Sequence, residues 1–234
     1  MERRPTQAGL VALILQLAAA AALAGPADKV YLPAVEAGEH EFELRGGYQD
    51  GSEEDDLQQY VMDYGYGVNS RWFTELAGEY EKIPGEGGEF EAIEWENIFL
   101  LNEPGEHWLD VGLFAEYEYS LEGGPDEIVV GPLLQKEFGR LQTNFNPFVE
   151  RKIGDGAEDA FEFLYALQLK WRLNPRFEPG LQAFGEEDSH RIGPAMFGQW
   201  QTSQHKVKYD AAVLFGTGSA AADLTIRFQI EYEM

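Results

Sequence analysis

Residues 224 to 234 read Leu224-Thr225-Ile226-Arg227-Phe228-Gln229-Ile230-Glu231-Tyr232-Glu233-Met234. In an extended chain Leu224, Ile226, Phe228, Ile230, Tyr232 and Met234 fall on one side, and Thr225, Arg227, Gln229, Glu231 and Glu233 on the other. Strict alternation of period two marks a strand with one apolar and one polar face. A sequence that closes on such a strand fits the last strand of a transmembrane barrel.

Working outward, the same pattern recurs from Glu39 onward. Expected strands run over His40–Gln49, Gln58–Val68, Trp72–Lys82, Phe90–Leu101, Trp108–Ser120 and Glu127–Phe138. Leu141–Arg151, Phe161–Leu173, Phe177–Glu186, Arg191–Gln201 and Lys206–Gly216 follow, with Leu224–Met234 as the twelfth. Phe161–Leu173 is the clearest, placing Phe163, Tyr165, Leu167, Leu169 and Trp171 opposite Glu162, Gln168, Lys170 and Arg172. The sixth and seventh strands have no readable parity, and each contains a proline, Pro132 or Pro147, which normally disfavours a central strand. The connections alternate in kind. Acidic or Gly-rich loops such as Asp50–Asp56 and Leu121–Asp126 exchange with compact turns such as Asn69-Ser70-Arg71 and Gly139-Arg140. Long outer loops and short periplasmic turns alternate in this way in outer-membrane barrels. The reading is an all-β, transmembrane, antiparallel up-and-down β-barrel of about 12 strands over residues 39–234.

Composition narrows the function. The chain has 234 residues, no Cys and a formal net charge of -25. Such acidity argues against nucleic acid as a partner, while 44% hydrophobic and 13% aromatic content argue against disorder. Arg3-Arg4, the apolar run Ala8–Ala22 and Ala22-Leu23-Ala24 form a secretory signal pattern, expected to be cleaved after Ala24. Residues 25–38 read as a short periplasmic lead-in. A soluble barrel would show the same alternation with its faces exchanged. Aromatics towards strand ends, such as Tyr60, Trp72, Tyr80, Tyr119 and Trp171, favour interfacial girdles and a membrane.

The stretches Phe90–Asn97 (FEAIEWEN) and Trp108–Glu118 (WLDVGLFAEYE), with Gly131–Lys136 (GPLLQK) and Ser189–Ala195 (SHRIGPA), resemble a family of uncharacterised proteobacterial outer-membrane β-barrel proteins, of the porin- or transporter-like kind. The resemblance implies a location in the outer membrane of a Gram-negative bacterium. It brings no activity or catalytic residue. These barrels usually end in Phe, where this sequence has Met234.

With the polar face turned inward, the lumen collects Glu43, Glu75, Glu79, Glu94, Glu96, Glu116, Glu118, Glu162 and Glu231. The basic lumen residues are Arg45, Lys170, Arg172, Lys208 and Arg227. Acids concentrate on the third to fifth strands and bases on the eighth, eleventh and twelfth. Such a field favours cations where carboxylates dominate, so a narrow, cation-preferring passage for small solutes or ions is expected. The alternative is a closed lumen whose charges satisfy one another, in a structural or surface-interaction barrel. An outer-membrane hydrolase comes third. Ser189, His190 and Asp188 supply the residue types, but neighbours along a strand point apart. No metal-binding spacing and no cofactor motif is present, and no enzyme is expected. Expected partners are outer-membrane lipids, lipopolysaccharide and the barrel-assembly machinery, with a small solute or cation in the lumen.

Overall fold

The computed structural model describes residues 25–51, 56–83, 85, 87–157 and 159–234. The expected leader, 1–24, and the acidic run Glu53–Asp55 lie outside the described residues. Twelve strands follow in order: β1 (His40–Asp50), β2 (Gln58–Asn69), β3 (Trp72–Ile83), β4 (Gly87–Leu100), β5 (Asp110–Ser120) and β6 (Asp126–Phe138). After them come β7 (Leu141–Ile153), β8 (Glu162–Trp171), β9 (Glu178–Glu186), β10 (Ser189–Gln201), β11 (Lys206–Gly216) and β12 (Leu224–Glu233). Each strand pairs antiparallel with its sequence neighbours, and β1 pairs with β12 from Glu41↔Glu233 to Asp50↔Leu224, closing the barrel. Closure leaves no open edge, so every strand has a ladder partner on both sides.

The faces are inverted relative to a soluble barrel. Leu44, Met62, Leu76, Ile93, Trp95, Leu181 and Ile226 point outward and stay exposed, whereas Glu43, Arg45, Asp63, Glu75, Glu94, Glu96 and Arg227 are buried inside. An apolar belt of this extent suits hydrocarbon rather than water. Polar atoms on the outer face are satisfied locally: the Trp72 indole donates to Asn97 Oδ1 at 3.0 Å, and that of Trp95 to Thr74 Oγ1 at 2.9 Å.

The structure assigns the two strands whose parity was unreadable. Gly131, Leu133, Asn144, Asn146, Phe148 and Glu150 face in, while Val130, Pro132, Phe145 and Pro147 face out. The β6–β7 ladder is interrupted between Val130↔Val149 and Leu134↔Phe145, and by register the two prolines oppose each other inside that gap. Neither has an N–H to give, so pairing them confines the lost hydrogen bonds to one place.

Several connections differ from expectation, among them the one after β8, which spans residues 172–177. β5 begins at Asp110 rather than Trp108. Asn102 organises the turn by donating to Leu109 O at 2.8 Å and accepting from Val111 N at 2.7 Å, which leaves Trp108 exposed. The expected loop Glu186–His190 contracts to Glu187-Asp188, with Glu187 at a positive φ of 29°. Below, the end bearing Gly38, Asn69–Arg71 and Gln201–His205 is the turn end, and the opposite one the loop end.

The expectation for residues 25–38 is overturned. They do not lie outside the barrel as a lead-in. They thread its lumen, from Gly25 near the loop end to Gly38 at the turn end.

Candidate functional site

Inward-facing glycines clear a path for residues 25–38. A Cβ on Gly47 would strike Pro26, one on Gly67 would strike the Glu36 carbonyl, and one on Gly112 would crowd Pro33. Only glycine permits so close an approach of another backbone. Along this path the side chains take different walls. Asp28 accepts from Arg191 at 3.2 Å. Lys29 reaches Glu75 at 2.8 Å, Glu43 at 3.4 Å and Glu96 at 3.8 Å. Val30 packs on the cluster containing Phe184 and Phe197. Tyr31 and Val35 pack on Phe73, Phe114 and Phe148, with the Tyr31 and Phe114 rings 4.1 Å apart.

Asn146 pins this segment in the manner of a strand partner. Its Oδ1 accepts from Tyr31 N at 2.9 Å, and its Nδ2 donates to Tyr31 O at 3.1 Å. At the turn end, Gly38 N donates to Gly67 O at 2.7 Å, and Gly67 N to Glu39 O at 2.9 Å.

Charge pairing organises the rest of the lumen. Arg45 Nη1 bonds Glu43 at 3.1 Å and Asp63 at 3.0 Å, and its Nη2 bonds Glu94 at 3.2 Å and Glu96 at 3.3 Å. Arg227 bonds Asp210 at 2.8 Å and Gln182 at 2.6 Å. Lys208 pairs with Glu231 and Glu233. Desolvation opposes burying such groups, and these networks hold because each of these cations has two or more acceptors. At the turn end, burial and a hydrogen bond with the Glu233 carboxylate push the Glu39 carboxyl up to about 7, against the pull of Lys206 and Lys208.

The residues read as lumen-lining fall into three groups. Glu43, Glu75, Glu94 and Glu96 converge on Lys29 and Arg45, while Glu231 joins Lys208. Glu79, Glu116 and Glu118 line a chamber near the loop end, and Glu162 has the same inward parity on β8. Lys170 faces in and pairs with Glu178 at 3.7 Å. Arg172 lies just past the end of β8, half-exposed at the turn-end rim, bonded to Glu137 at 2.7 Å and to the buried, inward-facing Gln142 at 2.6 Å.

The sequence reading missed Asp28, Lys29, Tyr31, Arg191, Asp210, Asn146 and Glu150 as lumen groups. One signal for them was available. Phe73, Phe114, Phe148, Phe184 and Phe197 sit on the inward parity, where alternation demands polar residues, and they mark where an apolar guest must lie.

Two chambers flank Lys29 and Tyr31. The turn-end chamber has a volume of about 300 Å³ and carries Glu39, Glu41, Glu231 and Glu233 with Lys206 and Lys208. The loop-end chamber is about 480 Å³, and among the described residues eleven carboxylate side chains and two basic ones, Lys29 and Arg45, line it. Ser189 turns into the lumen and the adjacent His190 away from it, so the two cannot act as nucleophile and base.

No known protein family and no curated protein matches the chain by sequence. Solved structures do match. A NanC porin superposes with a TM-score of 0.54 at 11% identity, covering 82% of this chain and 98% of the porin. The β domain of the Bordetella autotransporter Brka gives 0.52 at 13%, covering 85% and 99%. The Acinetobacter baumannii outer membrane protein Omp33 gives 0.46 at 12%, covering 84% and 97%. At these identities the likeness is one of fold alone, that of a closed antiparallel β-barrel, which in this chain has twelve strands.

Proposed function

We propose that this chain is an integral outer-membrane barrel of a Gram-negative bacterium that passes small cations or cationic solutes, with residues 25–38 forming its constriction. The observation that carries this reading is the charge of the loop-end chamber, where eleven carboxylates face two basic groups. A low-dielectric wall focuses such a field, concentrating cations and repelling anions at the entrance. Export through a leader cleaved after Ala24 and insertion by the barrel-assembly machinery, among lipids and lipopolysaccharide, belong to the same proposal.

Planar-bilayer recording tests it. The intact barrel should give small currents that reverse towards the cation potential in a salt gradient. Deleting residues 25–36 should enlarge them several-fold while keeping that preference. Anion-selective currents, or silence from both proteins, would refute the passage. A closed-lumen structural barrel is the second reading, favoured by the double hydrogen bond of Asn146 and the ion pairs of Lys29. On that reading only the deleted form conducts.

A further inference from the structure

The loop-end chamber has two chemically unlike walls. Towards β3 to β5, Glu79, Glu94 and Glu118 bring carboxylate oxygens within 4.8 Å of one another. Glu94 also stands directly across the ladder from Glu118. Like charges placed opposite one another repel. A second feature points to the same space from β7. Glu150 is 3% exposed, lines the chamber, and its Oε1 has no hydrogen-bond partner among the described residues. A buried acceptor left without a donor is costly. Apart from Glu150, the wall towards β7 to β9 carries an apolar surface built by Phe148, Leu164, Ala166 and Phe184.

We infer that this chamber is a binding site for organic diammonium ions with an apolar body, a deepening that rests on the cation-passage reading. One ammonium supplies N–H donors to Glu79, Glu94 and Glu118, and the other reaches Glu150. The hydrocarbon or aryl body lies on Phe148, Leu164 and Phe184. A volume of about 480 Å³ falls in the range of small-molecule sites. A bare metal ion answers the carboxylates but makes no use of the apolar wall, which selects the organic cation.

Three dications of equal charge separate these terms: p-xylylenediamine, 1,3-diaminopropane and Mg²⁺, titrated calorimetrically into the purified full barrel at physiological salt. The aryl diamine is expected to bind about tenfold or more tighter than the other two, the effect of burying one ring. Glu94→Gln/Glu118→Gln should weaken all three by tenfold or more. Glu150→Gln should weaken the diamines alone, and Leu164→Ser the aryl diamine alone. Glu94→Gln relieves the repulsion with Glu118 and leaves Arg45 its pairs with Glu43, Asp63 and Glu96, so heat-modifiable migration on gels should persist and certify the fold. Equal binding of the three dications, displacement of the diamine by equimolar Mg²⁺, or variants that bind like the parent would overturn the proposal. Bilayer recording keeps the two readings apart. Diamine binding without current would sink the passage and leave the site. Cation current that saturating diamine does not reduce, with no binding heat, would sink the site and leave the passage.

Discussion

The Asn146 clamp yields the sharpest prediction about how residues 25–38 are held. Asn146 is fully buried and makes two hydrogen bonds to the Tyr31 backbone, at 2.9 and 3.1 Å. Asn146→Ala removes both. At about 1 to 1.5 kcal/mol net for each bond, the loss is about 2 to 3 kcal/mol. That raises the undocked fraction of the segment roughly 30- to 150-fold. The chain has no Cys, so one introduced thiol reports without background. Ala27, 3% exposed and packed with Val61 and Ala77, is the natural position. A thiol at Ala27→Cys reacts with a charged maleimide only when the segment leaves its groove, and its labelling rate tracks the open population when reclosing is fast. Asn144→Ala is the matched comparison. Asn144 is equally buried two residues away on the same face, but it bonds Gln135 and Gln142 rather than the segment. Labelling should accelerate by the stated factor in Asn146→Ala and stay within about twofold of the parent in Asn144→Ala, as independent sites require. Equal labelling of the two variants, with the barrel still heat-modifiable, would refute the clamp.

Two further outcomes follow from the same geometry. Lys29→Met strands Glu75 beside an apolar side chain, leaves Glu43 and Glu96 to Arg45, and should cost about 3 kcal/mol by urea unfolding, the loss expected when one partner of a buried ion cluster is removed. Adding Glu75→Gln should recover part of it, and a double variant no more stable than Lys29→Met would count against the network. Glu39, whose carboxyl is pushed from 4.5 up to about 7, carries a pH signature. The docked state holds its proton more tightly than the undocked state, so docking weakens as pH rises from about 4.5 to 7. Once divided by the rate of an exposed control thiol at each pH, which removes the thiolate's own rise, the labelling rate should climb across that window, and Glu39→Gln should flatten the climb; an unchanged normalised profile in the variant would assign it to another group.

How much of this was legible beforehand follows from what alternation can encode. Period-two patterning depends only on neighbouring residues, so Leu224–Glu233, Lys206–Gly216 and the inward parity of Glu43, Glu94 and Arg227 could be read from the chain. The number of strands and the pairing of the first with the last follow from the same local signal, because a membrane barrel must close. Pairing across the lumen is different. Residues 25–38 show no periodicity, and their partners Asn146 and Arg191 lie far along the chain, the Tyr31–Asn146 bond spanning 115 positions. β6 and β7 were unreadable for a related reason. Pro132 and Pro147 fit only because they face each other, a relation between two strands that neither strand displays alone. Sequence by itself therefore determined the wall of the barrel and the sign of its charge, both of which local alternation writes directly. Only the tertiary structure decided that the lumen is occupied by the chain's own residues, because that rests on glycine gaps, inward phenylalanines and one asparagine clamp meeting in space.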